Sequence, residues 1–247
     1  MHFDDRARPL CERLHLGGYN NKSILITGGI ILTRLVDLSM TWGSEVQPLE
    51  GHPHITFEPI TTHEKDHRSN TEVNFSIHTG THIDSPYHFF PDGKTIEQMP
   101  LETFIGPALL VDLREVAKPG HEITLSELQS EGELTKDYVK GKRIVLWGDW
   151  AKSRWNTSEL YNNNPFLSEE AAVWLRDSGA TALAMDFAVD GAPPYPNHPI
   201  LLGAEIPLIE NLVNLEEINA REFTLIAFPL PVEGGDGSPA RVVAQID

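Results

Sequence analysis

His78, His82, Asp84 and His88 fall within eleven residues, HTGTHIDSPYH (78–88), at successive spacings of four, two and four. Neutral imidazole and carboxylate oxygen are good ligands for Zn²⁺ and Mn²⁺. An array of three imidazoles and one carboxylate therefore reads as a metal site, with a hydrogen-bonded polar patch as the plainer alternative. The spacings are all even, and even spacings put side chains on one face of an extended chain. In a helix, at about 100° per residue, Asp84 and His88 would rotate away from His78 and His82. Thr79, Gly80, Thr81 and Ile83 disfavour a helix, and Pro86 would interrupt its continuation. The expected segment is extended, with or without a turn at Gly80. His52, His54, His63, His67 and His121 stand in polar, loop-like sequence and read as solvated surface residues.

Elements must bring these side chains together. LTRLVDLS (32–39), HITFEPIT (54–61) and EVNFSIH (72–78) read as strands, the second as an edge strand carrying Ile55, Phe57 and Ile60. Further strands are expected at ALLVDL (108–113), RIVLWG (143–148), ATALAMDF (180–187), FTLIAFPL (223–230) and ARVVAQI (240–246). Several are nearly unbroken apolar runs, the pattern of strands buried on both faces. SEEAAVWLRDSG (168–179) predicts a helix with Ser168 as its cap and Gly179 as its stop, and TLSELQSE (124–131) a shorter one. Strands outnumber helices without regular alternation, which predicts a mixed, strand-rich α/β domain rather than a doubly wound parallel sheet. Residues 1–32 are poorly patterned and read as an N-terminal extension, with 33–247 as a single domain.

A metal held by three residues wants further ligands. The downstream candidates lie in NHPILLGAEIPLIENL (197–212). Pro199 suits the first position of a short helix, which would leave His198 at its cap. Glu210 ends an apolar run, where a lone carboxylate is costly unless it meets a partner. Glu205 competes for the same role, and a solvated strand end is the plainer reading of Glu210.

The formal net charge of −17 and a sequence pI near 5.0 oppose binding to nucleic acid or anionic membrane. Cys11 is the only cysteine, so neither an intrachain disulfide nor a cysteine-rich zinc site is possible. The apolar run ILITGGIIL (24–32) is too short to span a bilayer, and no secretory signal is legible. A cytoplasmic protein is expected.

HTGTHIDSPYHF, followed by PDGKTIEQMPLETFIGPALLVDL, closely resembles the cyclase family of metal-dependent hydrolases, which includes bacterial kynurenine formamidase and isatin hydrolase. The resemblance runs from about residue 33 through HPILLGAEIPLIENLVNL to the closing GGDGSPARVVA. It implies a swivelling β/β/α domain. It also implies that His78, His82 and Asp84 bind metal together with His198 and Glu210, favouring Glu210 over Glu205, and that His88 is the catalytic histidine. One or two Zn²⁺ or Mn²⁺ ions per subunit are implied, with Asp84 bridging where there are two; Glu210 leans toward two. Homodimers or larger assemblies, with the active site near a subunit interface, are also implied. One departure stands out: Ala188 occupies the neighbourhood in which family members often carry a serine after the aspartate matching Asp186.

The expected reaction is hydrolysis of a small amide, either an aryl formamide or a cyclic amide, by metal-activated water. His88 would act as general base and then general acid. Tyr87, Phe89 and Phe90 are candidates for the wall of an aromatic substrate pocket, with core packing the alternative for the two phenylalanines. No G-x-S-x-G occurs, which argues against a serine hydrolase. The rivals are a non-catalytic metal-binding protein of the same fold and a hydrolase acting on an unrelated ester or lactone.

Overall fold

The computed structural model describes residues 33–247; the expected extension, 1–32, lies outside the described residues. The strands in chain order are β1 (Arg34–Asp37), β2 (Thr56–Thr61), β3 (Asn70–Asn74), β4 (His82–Asp84), β5 (Ile105–Asp112), β6 (Glu122–Ile123), β7 (Arg143–Trp147), β8 (Phe166–Leu167), β9 (Ala182–Met185), β10 (Leu208–Glu210), β11 (Glu222–Pro229) and β12 (Gly237–Ile246). Among the described residues, the helices longer than four residues are α1 (Leu125–Gly132), α2 (Glu169–Asp177) and α3 (Asn197–Leu202). Seven strands close on themselves in the order β12-β11-β5-β7-β9-β10-β4, with β4 pairing back to β12 and β1 added outside β12. The run β5-β7-β9-β10 is parallel and every other junction is antiparallel. The fold is thus the expected strand-rich mixture, and closure removes most free edges.

Side-chain alternation explains the unbroken apolar runs. In β7, Val145 and Trp147 join an inner core to which every strand of the ring contributes, while Ile144 and Leu146 face an outer core. Ala182 and Ala184 of β9 point inward in the same way, and Leu183 and Met185 outward. The outer core is covered by Leu128 of α1, Ala171 and Leu175 of α2, and Leu201 and Leu202 of α3. Both predicted helices are present, the longer one starting at its predicted cap Ser168 and the shorter one capped by Thr124. Ser168 Oγ accepts from the Ala171 N–H at 3.2 Å, and Thr124 Oγ1 from the Glu127 N–H at 3.2 Å.

The same parity aims the site. Ile83 of β4 and Ile209 of β10 point into the inner core. Their neighbours His82, Asp84 and Glu210 must then face the helical side. The antiparallel register sets Glu210 opposite His82 and Leu208 opposite Asp84. On the other flank of β4, Gly237 stands opposite Asp84.

β2 is an edge strand as expected, but of a separate hairpin in which it pairs only with β3. Ile55 is buried, but Phe57 and Ile60 are exposed, because nothing among the described residues covers that hairpin. β3 stops at Asn74, so Phe75 and Ile77 leave the strand as the chain turns toward His78.

Gly237 illustrates how tightly β12 packs on β4. A Cβ there would lie 2.5 Å from the Ile83 carbonyl oxygen and 3.2 Å from His78 Cε1. Gly237→Ala is expected to push the strands apart, costing about 1–3 kcal/mol of stability, readable as a lowered denaturant midpoint. An unchanged midpoint would show that the ladder accommodates a methyl group.

Candidate metal centre

The cluster forms by turns rather than by one continuous strand. Gly80 takes a left-handed φ of 71°, three residues of strand follow, and Pro86–His88 make a single 3-10 turn. His82 and Asp84 share a face because they are two apart in β4. His78 is brought in by the turn before the strand, and His88 by the turn after it. The turn allowed for at Gly80 is present; the expectation that the extended face runs on to His88 is corrected, though the four side chains do converge.

The centre is Asp84, which is almost fully buried. Its Oδ1 lies 2.7 Å from His78 Nδ1 and 3.2 Å from His82 Nε2, and its Oδ2 lies 3.7 Å from His198 Nε2. Each imidazole is held from behind through its other nitrogen. His82 Nδ1 donates to the Gly80 carbonyl at 2.8 Å. His198 Nδ1 is 2.6 Å from Asp190 Oδ2, and His78 Nε2 is 2.9 Å from Asp236 Oδ2. Metal-binding histidines characteristically have the far nitrogen fixed in this way by a carboxylate or carbonyl. Ligand atoms of His78, His82 and Asp84 lie within 4.8 Å of one another, as do those of Asp84, His88 and His198, and of His78, His88 and Asp236. Glu210 is buried opposite His82, with Oε1 accepting from the Val189 N–H at 2.9 Å; it belongs to none of these compact groups.

His198 arrives by a different route from the one expected. α3 begins at Asn197, not at Pro199, and its leading N–H groups are capped from a distance. The Asp190 carboxylate accepts from the backbone N–H of Asn197 at 3.0 Å and of His198 at 3.2 Å. His198 therefore stands in the first helical turn rather than at the cap. Glu205 is exposed and pairs with Lys94 at 2.6 Å, away from the cluster.

A cavity of about 280 Å³ opens above the cluster. His78, His82, Asp84, His88, His198 and Glu210 all line it. Among the aromatic candidates, Phe89 lines it and stacks on His198 with centroids 4.8 Å apart and planes at 18°. Tyr87 is 41% exposed and Phe90 packs against the outer core; neither lines the cavity. Ala188 does line it, so a methyl group faces the space there. The sequence reading missed Asn164, Tyr161 and Tyr195 in the wall, and it placed His52 in solvent. His52 lines the cavity and its Nδ1 is held 2.9 Å from Ser76 Oγ. His121 instead pairs with Glu127 at 3.0 Å, while His54, His63 and His67 are exposed.

The electrostatics suit a cation. Burial alone would raise Asp84, yet the charges of His82 and His78 and bonds to His198 and His78 hold its carboxyl well below the usual range. Glu210 is raised by burial and by the charge of Asp84. Against the pull of burial, His78 is raised to about 10 by Asp84 and Asp236, and His198 to about 10 by Asp190 and Asp84. His88 moves the other way, to about 4, through burial and the charges of His78 and His198, which outweigh Asp84 and Asp236. The buried carboxylates are thus neutralised by protons on His78 and His198, which a divalent ion can replace.

That exchange predicts a pH dependence. The raised histidines stabilise the metal-free fold below about pH 6.5, and this contribution is lost as pH rises through about 10. Between these values a metal must displace their protons. Affinity is expected to rise with pH by roughly tenfold per proton released per unit. Competition titrations with a chromophoric chelator at several pH values would check this; a pH-independent affinity would contradict it.

Comparison with known proteins converges on one family. The family model Cyclase ("Putative cyclase") matches residues 36–190. Kynurenine formamidase of Bacillus cytotoxicus is 29% identical over 85% of this chain and 96% of its own length. Kynurenine formamidase of Geobacillus thermodenitrificans is 32% identical over 70% of this chain and 78% of its own. The solved structure of isatin hydrolase A from Labrenzia aggregata, bound to benzyl benzoate, superposes with a TM-score of 0.77 at 26% identity, covering 87% of this chain and 94% of that one. With a family match across more than half its length and a ring of imidazoles around one buried carboxylate, this chain belongs to the cyclase family.

Proposed function

We propose that this protein is a metal-dependent amidohydrolase cleaving the C–N bond of a small aryl formamide or cyclic aryl amide. The observation that carries the reading is Asp84, buried between His78, His82 and His198 at the floor of a cavity that His88 also lines. The names of its relatives, kynurenine formamidase and isatin hydrolase, support the same reaction class. His78, His82, Asp84, His198 and Glu210 would hold one or two Zn²⁺ or Mn²⁺ ions, for which nitrogen and oxygen donors are suited. A divalent ion there supplies Lewis acidity toward the carbonyl and toward water.

The chain's own residues do the rest. His88, neutral down to about pH 4, is ready to accept a proton from water and return it to the departing nitrogen. Phe89 and Tyr195 offer flat surface to an aromatic ring, and no Lys or Arg among the described residues lines the cavity. Ala188 leaves that part of the wall without a hydroxyl group.

The working unit is a cytoplasmic homodimer or larger homo-oligomer of single-domain subunits spanning 33–247. The uncovered β2–β3 hairpin, with Phe57 and Val73 directly opposed, supports self-association, since an isolated two-stranded hairpin is barely stable in water. No helix among the described residues is long and apolar enough to cross a membrane. The net charge of −17 supports a small-molecule partner over nucleic acid.

The test is metal analysis of the purified protein, followed by assays on N-formylkynurenine and isatin with and without chelator. Turnover abolished by chelator is expected. Bound metal with no turnover on any amide would favour the non-catalytic metal-binding protein, and turnover confined to esters or lactones the other rival. Light scattering would read the assembly, and a monomer would overturn that part.

A further inference from the structure

The closing GGDGSP stretch (234–239) carries a carboxylate for which the reaction outlined above has no use. Asp236 Oδ2 lies 2.9 Å from His78 Nε2 and 3.6 Å from His88 Nδ1. The two rings it meets are stacked, with centroids 4.1 Å apart and planes at 29°. One oxygen thus faces both a candidate metal ligand and the candidate proton carrier. The backbone around it is fixed on two sides. The Ser85 N–H donates to the Asp236 carbonyl at 3.0 Å, and the Ile96 N–H to the Gly235 carbonyl at 2.9 Å. Gly237 then enters the ladder opposite Asp84, where no side chain would fit. Asp236 is therefore held by the same strand pairing that positions Asp84.

We propose that Asp236 is a positioning residue that holds the His88 ring with Nδ1–H toward its carboxylate, leaving Nε2 as the atom that exchanges protons with substrate. An imidazole base must present a lone pair on its reacting nitrogen, and a carboxylate at the other nitrogen selects that tautomer and steadies the imidazolium that forms. At 3.6 Å the contact is longer than a hydrogen bond, as catalytic pairs often are before substrate binds. Because Oδ2 also accepts from His78, the two rings are aligned by one group.

The inference rests on His88 as proton carrier, and its test separates the two ideas. In ¹⁵N spectra of imidazole-labelled, metal-free protein, His88 is expected to show the Nδ1–H tautomer. Asp236→Asn should shift the population toward Nε2–H, and Asp236→Glu should restore much of it. This reading needs no activity, so it stands or falls even if no amide is turned over. In assays at saturating metal, so that any weakening of the His78 site is made up, Asp236→Asn should lower kcat by roughly 10–100-fold per metal-loaded subunit, with KM changed by less than about threefold. Placed on His88→Ala, it should cost nothing further. An unchanged His88 tautomer would overturn the proposal. So would a full additional loss on the His88→Ala background, or a fall in kcat that merely tracks lost metal.

Discussion

Replacing His88 with alanine is expected to lower kcat by about two to four orders of magnitude while leaving bound metal unchanged. The geometry makes this a demanding prediction. His88 lies close enough to Asp84 and His198 to be counted with them as a possible ligand group. Its environment argues otherwise. Burial and the neighbouring histidines disfavour its protonated form, so it is neutral at neutral pH with a lone pair free to accept a proton, and it lines the cavity directly. His78, His82 and His198 each have the far nitrogen fixed by a partner within 3 Å, whereas the nearest carboxylate oxygen to His88 Nδ1 is at 3.6 Å. A ring whose carboxylate partner stands beyond hydrogen-bond distance before substrate binds suits proton transfer better than coordination. Metal analysis beside steady-state kinetics decides the matter. Loss of metal in parallel with activity would make His88 a ligand, and full turnover would remove it from the mechanism.

The second large effect is expected at Asp84. Asp84→Ala should weaken metal binding by more than about 100-fold, beyond the usual cost of losing an outer partner, and abolish turnover. Three histidines surround this one carboxylate, and its removal leaves two buried imidazolium groups short of an anion. His78 and His198 should therefore titrate lower in the metal-free variant than in the parent, because Asp84 is among the causes that raise both. Equilibrium dialysis against Zn²⁺ or Mn²⁺ reads the affinity. Retention of metal at parental strength would mean that the centre lies elsewhere in the cavity.

Residues that chemistry marks directly are legible in the sequence. The histidines and aspartate of HTGTHIDSPYH converge as their types suggested, with the turn allowed for at Gly80, although a 3-10 turn rather than an extended chain brings in His88. Odd positions behave as the alternation required: Ile83 enters the inner core, and Thr81 Oγ1 donates to the Asn211 carbonyl at 2.8 Å. β4 and β10 are three residues each, too short for any periodicity to reveal, yet their register is what sets Glu210 opposite His82. The supporting carboxylates escaped notice for a different reason. Asp190 and Asp236 each precede a glycine and so look like ordinary turn residues. Asp190 caps a helix that begins seven residues later, and Asp236 reaches His78 across 158 positions. Nothing local marks either contact. His52 was misjudged similarly, since its polar surroundings in sequence become a cavity wall only when the 49–53 loop folds over the cluster.

The central claim is that a metal held at Asp84 is required for amide hydrolysis. Metal-free protein titrated with Zn²⁺ or Mn²⁺, with N-formylkynurenine or isatin turnover followed at each addition, tests it most directly. Turnover should be absent in the stripped protein, rise in proportion to bound ion, and level off at one or two equivalents per subunit. Full turnover by protein shown to contain no metal would contradict it.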